Sequence, residues 1–258
     1  MYATSMKGDM ALATADSCLR RVYGETDMSP RPERRAEWVH QEMLRRFVSG
    51  QYRFGERISV KELSAETGVS RQPVMTAMLK LSLGGFVKIR PQVGCEVITP
   101  TSSEITDFFL MFARMESLMA ELAATRKTRE HIERLNQTNQ KIAMLPDTAE
   151  ASGDAFRVLN RDFHSTIHAA AAAPGVHRFI VQQWEMADFF LAQADAFADH
   201  LEGAVVEHRE MIDAISAGSG QLASQLTQEH IDNFCALVLN KLVLVLFPYR
   251  STLSRAGI

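Results

Sequence analysis

Residues 60–81 read Val60-Lys61-Glu62-Leu63-Ser64-Ala65-Glu66-Thr67-Gly68-Val69-Ser70-Arg71-Gln72-Pro73-Val74-Met75-Thr76-Ala77-Met78-Leu79-Lys80-Leu81. The spacing predicts a short helix from about Val60 to Thr67, broken by Gly68. Ser70 is placed to cap a second helix, with Pro73 tolerated in its first turn. Val74, Ala77, Met78 and Leu81 fall at offsets 0, 3, 4 and 7, an apolar stripe suited to burial. The opposite face carries Arg71, Gln72, Met75 and Thr76. A helix, a tight glycine turn and a capped helix with polar residues in its first turn read as a helix-turn-helix.

The neighbouring sequence extends this unit in both directions. Upstream, Ala36, Val39, Met43 and Phe47 or Val48 recur at helical spacing, and Gly50 stops that helix. Gly50–Gly55 is a turn-rich connection. Downstream, Gly84-Gly85 ends the second helix, Phe86–Arg90 alternates as a strand, Pro91–Gly94 turns, and Cys95–Ile98 returns. That hairpin is placed to form a wing beside the recognition helix. After Ile98-Thr99-Pro100-Thr101 the pattern turns almost wholly helical, and Ser102 or Ser103 can cap the first helix.

The expected fold is therefore mainly α. A flexible tail (1–30) precedes a small α+β winged helix-turn-helix (31–100). An all-α antiparallel helical bundle (101–245) and a C-terminal tail (246–258) follow.

The net charge of −3 gives a poor guide to partners until it is divided along the chain. Residues 31–100 hold 12 Lys+Arg against 7 Asp+Glu, or +5, whereas residues 101–258 hold 13 against 20, or −7. The basic part suits phosphates and the acidic part repels them. A hydrophobic content of 46% excludes a disordered chain, and no run approaches the ~20 apolar residues that span a bilayer. No secretory signal is evident in residues 1–30. Cys18, Cys95 and Cys235 are few, far apart and odd in number, which fits a reducing cytoplasm better than a disulfide framework.

Seven of the eight histidines follow residue 100, and three interrupt apolar stripes. His164, with Asn160 four residues before it, lies beside Phe156, Leu159, Phe163 and Ile167. His208 breaks the stripe Val205, Ile212, Ile215, and His230 sits between Leu226 and Phe234. Burying an imidazole without a partner is costly. Two readings follow: each histidine meets an ordinary carbonyl or carboxylate, or the three converge on a metal, with Asn160 adding an amide oxygen. His168 shares metal-like spacing with His164 but lies in an alanine-rich helix exit, so it is expected at the surface.

The segment SGQYRFGERISVKELSAETGVSRQPVMTAMLKLSLGGFVKIRPQVGCEV (49–97) resembles the winged helix-turn-helix of GntR-type bacterial transcription regulators, the likeness covering about 35–98. The resemblance implies that Arg71 reads guanine in the major groove and that Ser70 and Gln72 reach phosphate or base edges. It further implies that Lys61 contacts DNA and that Gly94 lets the wing tip approach the minor groove. Arg57 is either a phosphate contact or a solvated charge. Met75 stands where the family usually has a second arginine, and it can touch only a thymine methyl. Gln92-Val93 likewise replaces a commonly basic wing.

NRDFHSTIHAA, EHREMIDAISAG and QEHIDNF, with RMESLMAELAA at 114–124, resemble the FCD effector domain of the FadR branch of the same family, over roughly 103–240. That resemblance implies a divalent metal, zinc or nickel in class, held by Asn160, His164, His208 and His230 and completed by a small organic acid. Asn160 replaces the family's aspartate, Phe112 a frequent arginine, and Ala173 a frequent asparagine. The expected function is a cytoplasmic, homodimeric, ligand-responsive regulator on palindromic double-stranded DNA, with no membrane partner and no enzyme activity. Two other readings stay open: a metal-free regulator with a bulkier ligand such as an acyl-CoA, and a metal-dependent hydrolase or isomerase carrying a DNA-binding appendage.

Overall fold

In the computed structural model, residues 32–90, 94–146 and 149–246 are described. The expected tails at 1–30 and beyond 246, and the wing residues Gln92 and Val93, lie outside them. The chain divides into two compact units between Thr99 and Pro100.

The first unit begins with α1 (Pro32–Val48), followed by β1 (Arg57–Ile58), α2 (Val60–Thr67), α3 (Arg71–Leu83), β2 (Val87–Arg90) and β3 (Gly94–Val97). Proline at the first helical position lets α1 start earlier than its apolar stripe suggests, because that position needs no N–H partner. Ser59 caps α2 by accepting from the Glu62 N–H at 3.2 Å. Gly68 ends that helix at φ +68, a left-handed conformation that favours glycine. Ser70 occupies the N-cap of α3 in extended conformation, but its hydroxyl makes no capping bond, contrary to expectation.

Ala36, Val39, Met43 and Phe47 of α1 pack with Val74, Ala77, Met78 and Leu81 of α3 as a wholly apolar core, and Phe47 stacks on Phe86 at 5.9 Å. The sheet order is β1-β3-β2, all antiparallel, with Val87 opposite Val97 and Arg57 opposite Glu96. Strand β1 is too short for alternation to mark it in sequence; only its pairing with β3 defines it.

The second unit is all-helical: α4 (Ser102–Arg126), α5 (Arg129–Ala143), α6 (Ala149–Ala171), α7 (Pro174–Ala194), α8 (Phe197–Ser216) and α9 (Gly220–Leu246). The cap of α4 is Thr101 rather than Ser102 or Ser103. Thr101 accepts from the Glu104 N–H while the Glu104 carboxylate accepts from the Thr101 N–H, a reciprocal capping box that neither serine can form. The first and last helices, α4 and α9, pack extensively along each other, and α6 lies against α4, α5 and α8. Phe109, Phe112, Phe156, Phe163 and Phe189 fill the interior.

Candidate functional site

In the first unit, Ser70, Arg71, Gln72 and Met75 are exposed along the start of α3, and Lys61 is exposed on α2. Among the described residues Lys61 and Arg71 have no salt-bridge partner, whereas Arg46 is bonded to Glu42 and Glu66, and Lys80 to Glu37. The N-terminal end of α3 thus presents a free guanidinium, two uncharged polar groups and unpaired backbone N–H groups, an arrangement that attracts phosphate. Gly94 opens β3 at φ +119, with nothing within 4 Å of where a Cβ would stand. The glycine there answers a backbone requirement rather than crowding within the unit. Arg57, opposite Glu96 on the sheet, is exposed as well.

The second unit places its polar groups inside. His164, His208 and His230 come from α6, α8 and α9 and are buried, each with a ring nitrogen within 4.8 Å of the others'. The ring centroids are 5.6 Å apart for His164–His208, 5.4 Å for His164–His230 and 5.0 Å for His208–His230. Neither nitrogen of His208 has a hydrogen-bond partner, and neither does His164 Nε2 or the Asn160 side-chain oxygen. His208 is held by Phe163, whose ring stacks on it at 3.8 Å. Burial pushes the His208 imidazole well below its usual pKa, reinforced by charge on His230 and His164. Burial likewise lowers His164. His164 and His208 therefore offer neutral lone pairs, the form a metal requires. The three histidines converge, as the second reading of them expects, while His164 and His230 each also meet a carboxylate, as the first expects.

Two carboxylates stand behind the triad. Glu116 of α4 is fully buried; its carboxylate lies 3.0 Å from His164 Nδ1 and 3.0 Å from His168 Nε2, and it accepts from the Trp184 indole N–H at 2.7 Å. Burial raises the Glu116 carboxyl, but charge on His168 and bonding by His164 outweigh this and hold it well below the carboxylate range. Glu207 of α8 lies 2.6 Å from His230 Nδ1. A histidine that bonds a carboxylate through one nitrogen has its tautomer fixed and presents the other nitrogen as a ligand.

His168 corrects an expectation. It is buried rather than at the surface, because four residues after His164 it shares the face of α6 turned to α4, and Ala170 and Ala171 after it are buried too. Phe112 is fully buried against Trp184 at 5.1 Å, so an aromatic edge stands where the family's arginine is frequent. Ala173 occupies the N-cap of α7, where it has no side chain to cap with.

Several functional candidates escaped the sequence reading. Glu116 carried a signal, since a lone glutamate interrupts the stripe Phe109, Phe112, Ala113, Ala120. His200, two turns before His208, carried a weaker one. Glu207 and Trp184 carried none.

The chain matches the model of the gntR family of bacterial regulatory proteins over residues 35–97 and that of the FCD domain over residues 107–233. It is 25% identical over 186 residues to the HTH-type transcriptional repressor RspR of Escherichia coli, covering 69% of this chain and 77% of that one. It is 23% identical over 201 residues to a probable D-xylose utilization operon transcriptional repressor of Paenarthrobacter nicotinovorans, covering 76% and 85%. The fold resembles that of E. coli McbR/YncC, with a TM-score of 0.66 at 18% identity over 81% of this chain and 98% of that one. Both matched domains are those of regulators, so the reading as a hydrolase or isomerase falls away. With matches spanning most of both units, the chain belongs to the GntR family: a transcription regulator, not an enzyme, with a DNA-binding helix-turn-helix followed by an FCD effector-binding domain.

Proposed function

We propose that the chain is a cytoplasmic, homodimeric regulator of the FadR branch that binds a palindromic operator and responds to a small organic acid held with a divalent metal. One observation carries the ligand part: four polar atoms of Asn160, His164 and His208 are buried in the bundle core with no hydrogen-bond partner. Each such atom costs about 1–3 kcal/mol of desolvation unless something binds there. Asn160, His164, His208 and His230 would hold the ion, of zinc or nickel class, and it would supply a positive centre for the acid's carboxylate. Glu116 and Glu207 orient the His164 and His230 rings from behind. Phe112 and Trp184 exclude water from that side.

On DNA, Arg71 donates to guanine, Ser70, Gln72 and Lys61 contact phosphate or base edges, Met75 faces a thymine methyl, and Gly94 brings the wing close to the minor groove. Leu110, Met111 and Leu118 on α4 and Leu222 on α9 are exposed apolar residues on two helices packed together, which supports a dimer face there. The bound acid acts only through different affinities for two arrangements of the dimer. No helix among the described residues is long and apolar enough to cross a membrane.

The test is a thermal-shift screen of small carboxylates with and without zinc or nickel, on protein stripped by chelator. The expected result is a rise in melting temperature with metal and a further rise with at least one acid. If no combination stabilises the protein, the proposed ligand class is wrong.

A further inference from the structure

His200, Glu207 and His230 form a second group whose possible ligand atoms all lie within 4.8 Å of one another. His200 sits on α8 two turns before His208, and its ring centroid is 5.2 Å from that of His230. It is 95% buried, and its Nε2 has no hydrogen-bond partner. Its ring packs at 4.7 Å against Phe234 and at 5.8 Å against Phe156, which accounts for its carbon edges but leaves that nitrogen unpartnered.

Glu207 is half-buried and faces only imidazoles and the Asn233 amide; no lysine or arginine pairs with it among the described residues. His230 Nδ1 is the nitrogen turned to Glu207. The group therefore combines two imidazoles with one uncompensated carboxylate, a donor set suited to zinc-class ions. Ligands about 2.1 Å from a tetrahedral ion stand about 3.4 Å apart, so these side chains need adjust by only about an ångström.

We propose that His200, Glu207 and His230 constitute an outer divalent-cation position, in which Glu207 supplies the anionic ligand that Asn160 does not. The inner position has four neutral ligands: three imidazoles and an amide. The outer has one negative charge, a neighbour reaching toward the surface, and a histidine in common with the inner. Because His230 serves one position at a time, a chain holds one ion, inner or outer. This inference rests on the reading of the bundle as a metal site, but not on the inner ligands.

The test is titration of the stripped full-length protein with cobalt(II), read by visible absorption and by metal analysis after desalting. The expected result is one equivalent in the wild type and one in His208→Ala, whose spectrum shows the outer ligand set. Adding His200→Ala or Glu207→Gln to His208→Ala should remove that equivalent. Glu207 is partly exposed, so its glutamine variant keeps the fold, which circular dichroism checks. If the wild type binds cobalt and His208→Ala binds none, the outer position is overturned and the inner one stands. Retention of the equivalent in the two double variants also overturns it. A wild type that binds no cobalt removes both positions.

Discussion

The two units solve opposite problems with polar residues. In the helix-turn-helix unit the core between α1 and α3 is wholly apolar, and Lys61, Ser70, Arg71 and Gln72 stand in solvent at no desolvation cost. In the bundle, Glu116, Asn160, His164, His168, His200, His208 and His230 are taken out of water, and several of their atoms meet nothing. A surface that reads DNA leaves its own fold undisturbed. An interior that reads a small ligand weakens the empty fold, and binding recovers the loss, so that ligand occupancy and stability are linked in one unit only.

Acid should expose that difference most strongly. His200 is pushed down to about 3 by burial and by charge on His230, and burial also lowers His164 and His208. In the unfolded chain these histidines take up protons near pH 6.5, so stability is full above that pH. It falls as pH drops from about 6.5 toward the folded values, because the unfolded state then binds more protons. Each such histidine contributes up to about 1.4 kcal/mol per pH unit. Glu116, held low in the folded state, adds to the loss below its unfolded value. The first unit contains a single histidine, His40, and loses far less. Amide exchange of chelator-treated protein between pH 7 and 5 should show the bundle opening well before the α1–α3 core. Equal loss in both units would break the comparison.

Metal should act next in size and in the reverse direction. At a free concentration of about 100 times Kd, a ligand specific for the folded state adds about 2.7 kcal/mol. Added zinc should therefore raise bundle protection while leaving the helix-turn-helix unchanged. Protection rising equally in the two units would mean that the ion acts elsewhere. Arg71→Ala should do the converse, costing about 1–3 kcal/mol of operator affinity with relaxed specificity and no change in melting temperature. Binding-site selection alongside calorimetry checks both halves. Smaller still, His208→Leu should stabilise the metal-free protein by about 1 kcal/mol, because it replaces two unpartnered nitrogens with an apolar side chain of comparable size. Denaturant unfolding with chelator present measures this; a destabilised variant would show that His208 is satisfied in the empty protein. Met75→Arg should leave stability unchanged and alter only the preferred operator sequence.

Legibility in the sequence followed the same division. The recognition helix was readable because its apolar offsets and exposed polar residues repeat with the helix period, and Gly68 marks the turn locally. Strand β1 was not, since two residues carry no period. In the bundle the three histidines announced themselves by breaking apolar stripes, and Glu116 could have been noticed on the same ground. His168 was misassigned because an alanine-rich helix end looks like surface, although small residues equally permit close packing of α6 on α4. Glu207 and Trp184 sit at positions that look ordinary along their own helices.

The sequence by itself determined the two-part order, the basic front and acidic back, the helix-turn-helix and the short set of polar residues forced into an apolar interior. These are local or additive properties, carried by periodicity and charge. Tertiary structure alone decided which of those polar residues meet. The approach of α4, α6, α8 and α9 sets Glu116 behind His164, leaves His208 without a partner, and brings His200 and Glu207 to His230. No pattern along one helix encodes the distance to a side chain on another, because that distance is fixed by packing of the whole bundle.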